Sequence, residues 1–470
     1  MVFNSVTFVV FLALVFVLHW TVPKKFRNPV LLVGSYVFYG AWDWRFLGLL
    51  LVSTGADFTL ARLVHASEDR TRRLRLLWTS VALNLGILGV FKYTGFFVDS
   101  FEELAESVGL DASGPTLSII LPVGISFYTF QPLSYTFDVY RRRLEPTTDI
   151  ITFATYVAYF PQLVAGPIER AQALLPRLTD IDRERPRGAE LEHALGLMLL
   201  GLFKKVVIAD GVGSVADAGF AGETGWVAAL VGVVAFSLQI YGDFSGYTDI
   251  ARGVSRLFGI ELVLNFSQPY LSRNITEFWR RWHISLSNWL RDYLYIPLGG
   301  NRGGATATMR NLMITMVLGG LWHGASWTFV IWGTLHGAFL AVHRIARGGQ
   351  VPTGPVSFRQ IPSVLATFGL VAFAWIFFRA DSAASAFEVI EAIVTFRSGE
   401  VVTGDVVLVV LMSGLVLALD LLQRRVAGTL SATPSGPVPV PLVGVGLAMA
   451  MLGILVFSGG TPQPFIYFQL

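Results

Sequence analysis

The sequence predicts an all-α, polytopic integral membrane protein, on three observations. Only 14% of its 470 residues are charged, against about a quarter in soluble proteins. Hydrophobic residues make up 53%, and they gather into long charge-free stretches. Those stretches approach the roughly 20 residues needed to cross a hydrocarbon core of about 30 Å. The same arithmetic excludes a disordered chain, a collagen-like repeat and a conventional cytosolic enzyme. With no cysteine, disulfides, thiolate zinc sites, iron–sulfur clusters and a cysteine nucleophile are excluded too.

In chain order, the stretches without Asp, Glu, Lys or Arg are 1–23, 28–42, 76–91, 116–137, 151–168, 224–242, 311–343, 360–378 and 426–470. Further apolar runs lie at 46–60, 194–208 and 406–419. Roughly ten to thirteen membrane-embedded helices are expected, some of them short or re-entrant. The first stretch lacks a positive n-region and a small-residue cleavage site before Lys24, so it reads as a retained span. Residues 427–441 are rich in Gly, Pro, Ser and Thr but are too short to separate soluble domains. One integral membrane domain over 1–470 is expected. The absence of an internal repeat speaks against a transporter, since many transporters carry one.

The net charge of +3 is explained by its distribution. Basic clusters stand at Lys24/Lys25/Arg27, Arg70/Arg72/Arg73/Arg75, Arg141/Arg142/Arg143, Arg183/Arg185/Arg187, Arg280/Arg281 and Arg424/Arg425. Two loops are purely acidic: Asp99, Glu102, Glu103, Glu106 and Asp111 in one, Asp210, Asp217 and Glu223 in the other. Basic loops stay cytoplasmic, so the acidic loops, the N-terminus and residues 465–470 are expected outside. Nucleic acid is not an expected partner; membrane lipid is.

Residues 311–343 break the pattern. They carry no formal charge and are flanked by Arg302 and Arg310 on one side and by Arg344 and Arg347 on the other. As one helix they would run about 50 Å, too long for a simple span. As two full spans with a turn they are too short. Basic flanks at both ends predict an excursion that leaves and re-enters the cytoplasmic side, turning at residues 319–326 after about twelve helical residues, near the midplane. Irregular backbone at that depth must be buried in protein or line a wet cavity. His323 therefore sits on a chain break deep in the membrane, where an ionisable side chain points to function. The bland alternative is a neutral histidine bonded between helices. His336 and His343 share nearly one helical face further along. No HExxH or comparable spacing occurs, so no metal site is expected.

A second cluster spans 275–295. Phe278, Trp282, Leu286, Trp289 and Tyr293 recur at helical spacing, with Arg280, Arg281 and Arg291 on the polar side. They predict an interfacial helix on the cytoplasmic side. It is either an aromatic anchor belt or a mouth where the arginines hold an anionic cytosolic substrate and His283 moves protons. The glycine turn at 298–302 matches no nucleotide fingerprint. Asp138, Asp243 and Asp249 read as helix caps or ion-pair partners, with a proton or ion route as the alternative.

Several blocks resemble a known family. They are Phe38-Tyr39-Gly40-Ala41-Trp42, residues 121–131 (LPVGISFYTFQ), 160–168 (FPQLVAGPI), 243–247 (DFSGY), 278–287 (FWRRWHISLS), 293–301 (YLYIPLGGN), 320–325 (GLWHGA) and 464–469 (PFIYFQ). In this order, nearly end to end, they resemble the membrane-bound O-acyltransferases, and among these the bacterial alginate O-acetylation branch. The core motif region is about 240–345. Related members act on alginate, other exopolysaccharides, peptidoglycan or, more distantly, D-alanylated teichoic acids.

The resemblance implies short helices around a central tunnel, with His323 matching the family's histidine at the tunnel core. His283 matches the second family position, where eukaryotic members often carry Asn. It further implies an acyl donor from the cytoplasm, acetyl-CoA, and no bound cofactor or metal. A polysaccharide acceptor would be reached from the other face, with separate periplasmic acetyltransferases as partners in the inner membrane system. In such a reaction His323 is the base for the acceptor hydroxyl, or the transient acyl carrier. His283 assists proton flow or positions the donor, Trp322 and Trp327 pack the tunnel and hold the imidazole, and Arg280 and Arg281 are candidates for the CoA phosphates. The rival reading is a proton-coupled transporter or flippase of a cell-envelope precursor, using His323, Asp243 and Asp249 as a proton path. A third is a structural subunit in which His323 only packs.

Overall fold

The computed structural model describes residues 1–110, 120–222, 224–354, 356–426, 440–457 and 465–466. The described residues form helices and connecting turns, with no strand among them. Among the described residues, six helical stretches are long and apolar enough to cross a membrane: Lys24–Ala66, Arg70–Ser107, Trp226–Leu257, Trp327–Arg347, Phe358–Arg379 and Thr403–Leu422. Val6–Thr21 and Ala448–Phe457 are shorter apolar helices. The protein is an all-α, multi-pass membrane protein. Residues 427–439, within the Gly/Pro-rich run, lie outside the described residues.

The chain divides into two compact units. The first comprises Met1–Gly188 and Val254–Leu262. Its helices are α1 (Val6–Thr21), α2 (Arg27–Asp43), α3 (Leu47–Ala66), α4 (Arg70–Leu88), α5 (Thr94–Ser107), α6 (Ile125–Tyr140), α7 (Ile150–Ala158) and α8 (Ala171–Thr179). Asp57 on α3 is fully buried and accepts from Asn84 (2.6 Å) and Thr136 (3.1 Å), and also from Ser80. Polar side chains joining helices in this way supply attraction that lipid-like packing alone lacks. Residues of the basic clusters bond to distant segments here: Arg27 donates to the Arg183 carbonyl (2.8 Å), and Arg142 pairs with Glu68 (3.1 Å). The charge-free stretch 151–168 is not a span. It gives the 9-residue α7 and then a buried irregular run. The turn Gln162–Gly166 closes so tightly that a Cβ on Gly166 would lie 2.3 Å from the Gln162 Cα. Asp138 accepts from Gln172 (3.2 Å).

The second unit comprises Ala189–Gly253 and Val263–Leu470. It contains α9 (Ala189–Phe203), α10 (Asp210–Gly219), α11 (Trp226–Leu257, to Gly253), α12 (Ile275–Arg281), α13 (Ile284–Leu290), α14 (Gly304–His323), α15 (Trp327–Arg347), α16 (Ile361–Arg379), α17 (Ala383–Val394), α18 (Thr403–Val426) and α19 (Val440–Phe457). The apolar run 224–242 continues as helix well past its first charge. It can do so because Asp243 and Asp249 are neutralised by Lys205 and Lys204, each at 2.8 Å. Those lysines sit on a π-helical turn, Lys204–Ala209, after α9. Close glycine contacts seat α9 against α11: a Cβ on Gly201 would lie 2.4 Å from the Gly246 carbonyl oxygen.

Two sequence expectations are corrected in this unit. The stretch 275–295 is not one interfacial helix, since it breaks at Trp282-His283 into α12 and α13. Phe278, Trp282, Leu286, Trp289 and Tyr293 are all buried, so the stripe is core and not a lipid-facing belt. The hairpin of α14 and α15 is also longer than expected. Its arms of 20 and 21 residues extend beyond Arg310 and through Arg344 and Arg347. Each arm is therefore about 30 Å long. The turn lies a full arm from the hairpin base and not about twelve residues in, because the charge-free stretch marked only the inner part of each helix.

Candidate active site

The hairpin tip is shaped by glycine. A Cβ on Gly320 would lie 2.2 Å from the Phe329 carbonyl oxygen, and one on Gly333 would lie 2.4 Å from that of Met316. The two backbones thus touch with no side chain between them. Gly324 ends α14 in an extended conformation, where a Cβ would fall 1.9 Å from the Phe329 ring. Ser326 starts α15, its hydroxyl accepting from the Thr328 N–H (3.3 Å). His323, the last residue of α14, is held at this break and is 4% exposed. Its imidazole is walled by Trp322, Trp332 and Phe378, with ring centroids at 4.9, 5.0 and 5.3 Å.

The second histidine reaches the same place from another break. His283 joins α12 to α13 with φ +43° and is fully buried. Its ring centroid lies 6.2 Å from that of His323, 5.9 Å from Trp322 and 4.7 Å from Phe244. Asn265, fully buried, orients it. The Ser285 N–H and hydroxyl both donate to Asn265 Oδ1, at 3.2 and 2.9 Å. That oxygen is therefore an acceptor, and His283 Nδ1, 3.2 Å away, carries the proton it receives. This assigns the His283 lone pair to Nε2. Asn265 carried no motif in the sequence and is recognisable only by this contact.

Arg280 and Arg281, adjacent in the sequence, are used differently. Arg280 is exposed and lines a cavity of about 690 Å³ together with Arg291 and an apolar wall that includes Trp279, Leu312 and Met316. Arg281 donates to Glu277 (2.7 Å) and to the Ser267 carbonyl (3.3 Å). Glu277 also receives Arg273 at 2.8 Å. Burial alone would raise the Glu277 carboxyl, but the Arg273 hydrogen bonds and the Arg281 charge outweigh it and hold it below the usual glutamate range.

A second cavity, of about 240 Å³, lies at the hairpin tip, lined by Ser326, Thr328, Phe329, Phe378, Arg379 and Ile466, among others. His323 lines neither cavity. Met316 stands about 10 Å before it along α14, and aromatic side chains fill the gap. Trp279 donates to His336 Nδ1 (3.2 Å), and Trp332 packs between His336 and His323, at 4.7 and 5.0 Å. His343 bonds Thr276 (2.8 Å), away from the tip. Asp243 and Asp249, proposed from sequence as either ion-pair partners or a proton route, are in buried ion pairs. Among the described residues, no group of three His, Asp or Glu side chains is arranged to hold a metal. The arrangement brings two buried imidazoles together within an aromatic enclosure, a pair of groups able to accept or donate a proton.

Known proteins resemble this chain closely. The model of the MBOAT, membrane-bound O-acyltransferase, family matches residues 141–380. The probable alginate O-acetylase AlgI of Azotobacter vinelandii is 43% identical over 399 residues, covering 84% of this chain and 78% of that protein. The protein of the same description from Pseudomonas putida is 39% identical across 100% of both chains. The peptidoglycan O-acetyltransferase of Helicobacter pylori is 36% identical, covering 84% of this chain and 80% of its own length. A family match over half the sequence and relatives aligned along most of it agree: the chain is an acyltransferase and belongs to the membrane-bound O-acyltransferase family.

Proposed function

We propose that this protein moves an acetyl group from acetyl-CoA, bound at the arginine-rich cytoplasmic side of the inner membrane, to a hydroxyl reached from the opposite face, for O-acetylation of an exported polysaccharide such as alginate. The observation that carries the reading is the position of His323, buried at a glycine-packed tip, 5.3 Å from the Phe378 ring that lines the smaller cavity and on the same helix as Met316, which lines the larger. The larger cavity combines the Arg280 cation with an apolar wall, which suits a phosphorylated donor with a long thiol arm. The smaller one is lined by hydroxyls and charged groups, which suits a sugar hydroxyl or the side chain of a periplasmic acetyltransferase that carries the group onward. The relatives named for alginate and for peptidoglycan support an acceptor that is a hydroxyl-bearing envelope polymer.

In the reaction, His323 takes the hydroxyl proton as the oxygen forms its bond to the thioester carbonyl carbon. Collapse of the tetrahedral intermediate then breaks the C–S bond. The imidazolium returns its proton to the departing thiolate, so no external reagent is needed. Trp322 and Trp332 hold the ring and exclude water. His283, whose Nδ1 proton is bound to Asn265, presents Nε2 as an acceptor and positions the donor side. Arg280 receives the donor phosphates, and Arg281 anchors the end of α12 through the Ser267 carbonyl.

Labelled acetyl-CoA supplied separately to the two faces of membrane vesicles tests this. Label should enter base-labile ester only from the Arg280 side, and only with His323 present. Transfer that proceeds equally in His323→Ala, or from the other face, would overturn the reading.

A further inference from the structure

We infer that Asp243 and Lys205 form a buried latch that holds the Phe465–Ile466 segment as a fixed wall of the cavity at the hairpin tip, making Ile466 a specificity-determining position for the group entering there; the latter part rests on the acyl-transfer reading. Lys205 is 1% exposed and bridges Asp210 and Asp243, each at 2.8 Å. The ammonium has three donors to satisfy, and two of its partners are these carboxylates, of which Asp243 also reaches the main chain. Asp243 Oδ2 accepts the backbone N–H of Ile466 at 2.6 Å, a bond spanning 223 positions of sequence. The Lys205 ammonium also lies 4.6 Å from the Phe465 ring centroid, and Tyr247 meets the same ring edge-on at 5.0 Å. Phe465 is 2% exposed and Ile466 is 9% exposed.

Three contacts thus converge on two residues. A charge-assisted bond to a main-chain N–H fixes backbone position independently of the side chain it carries. The latch therefore specifies where residue 466 stands, and the side chain there decides what shape the cavity presents. Ile466 lines the tip cavity together with Phe329 and Phe378, and Phe378 lies 5.3 Å from the His323 ring. The wall that Ile466 supplies is thus one side chain removed from the imidazole. Asp243, read from sequence as a helix cap or ion-pair partner with a proton or ion route as the alternative, is an ion-pair partner that also serves this anchoring.

Because the chain has no cysteine, Ile466→Cys is a single-thiol reporter. Labelling with a small maleimide should be slow in that variant. It should be roughly tenfold or more faster when Asp243→Ala is added, since a buried charge-assisted bond then no longer opposes opening. Adding His323→Ala instead should leave the labelling rate unchanged, which separates the latch from the proposed chemistry. Equal rates with and without Asp243→Ala would overturn the latch. For specificity, Ile466→Ala and Ile466→Trp, at equal membrane abundance, should shift the apparent KM for acceptor in opposite directions with little change in kcat. Unmoved KM in both would overturn the role of Ile466 while leaving the latch intact.

Discussion

Replacing Gly320 with alanine is the sharpest structural perturbation of the site that leaves every ionisable group in place. The new methyl would stand 2.2 Å from the Phe329 carbonyl oxygen, where ordinary contact begins at 3.4 Å. The carbonyl belongs to helix backbone and cannot swing aside, so α14 and α15 must part by about 1 Å at the tip. Overpacking of this kind costs about 1–3 kcal/mol. The catalytic effect should be larger than the loss of stability, because His323 lies three residues along the same turn. A displacement of about 1 Å at a reacting group costs roughly 100-fold in rate. Gly369 on α16 provides the control: a Cβ there meets nothing within 4 Å, and an alanine should be neutral or slightly stabilising. Ester on the exported polymer would be measured for both variants and normalised to the amount of protein in the membrane. Ester in Gly320→Ala equal to that in Gly369→Ala would refute the claim that glycine contact at the tip positions the imidazole.

Other variants read separate parts of the site. Asn265→Ala removes the acceptor for the Ser285 N–H, the Ser285 hydroxyl and His283 Nδ1, so it should cost about 1–3 kcal/mol and lower kcat, measured in detergent-solubilised enzyme. His283→Asn keeps a residue type that tolerates the left-handed backbone at φ +43° and should accumulate normally with reduced turnover. His283→Val should also lose about 1–2 kcal/mol of stability, seen as lower abundance. Arg280→Ala should raise the apparent KM for acetyl-CoA with little effect on stability. Glu277→Ala, by contrast, strands the buried Arg273 (side chain 3% exposed) and should cost about 3–5 kcal/mol, depleting the protein from the membrane.

Composition and charge distribution made the fold class legible, since both depend on the solvent the chain meets and not on packing. The tip also showed itself: a charge-free stretch interrupted by Gly-Leu-Trp-His-Gly is hard to explain as a plain span. Periodicity misled at 275–295, because helical spacing persists across the break at His283 while the left-handed residue turns the second helix elsewhere. Charge counting misjudged the hairpin length, since Arg310, Arg344 and Arg347 sit within its helices. It also ended the expected span of α11 at Gly242, because the partners of Asp243 and Asp249 are lysines about 40 residues earlier on another helix. Asn265 and the divergent fates of Arg280 and Arg281 depend on contacts between distant segments, and a single sequence carries no trace of them.

The most direct measurement is O-acetyl ester formed by His323→Ala, with the variant's membrane abundance and its labelling at Ile466→Cys both matched to the parent. Loss of ester with normal abundance and unchanged labelling is the result that the proposed role of the imidazole as base predicts. Ester at the parental level would contradict the central claim and leave His323 as one more buried ring in an aromatic core.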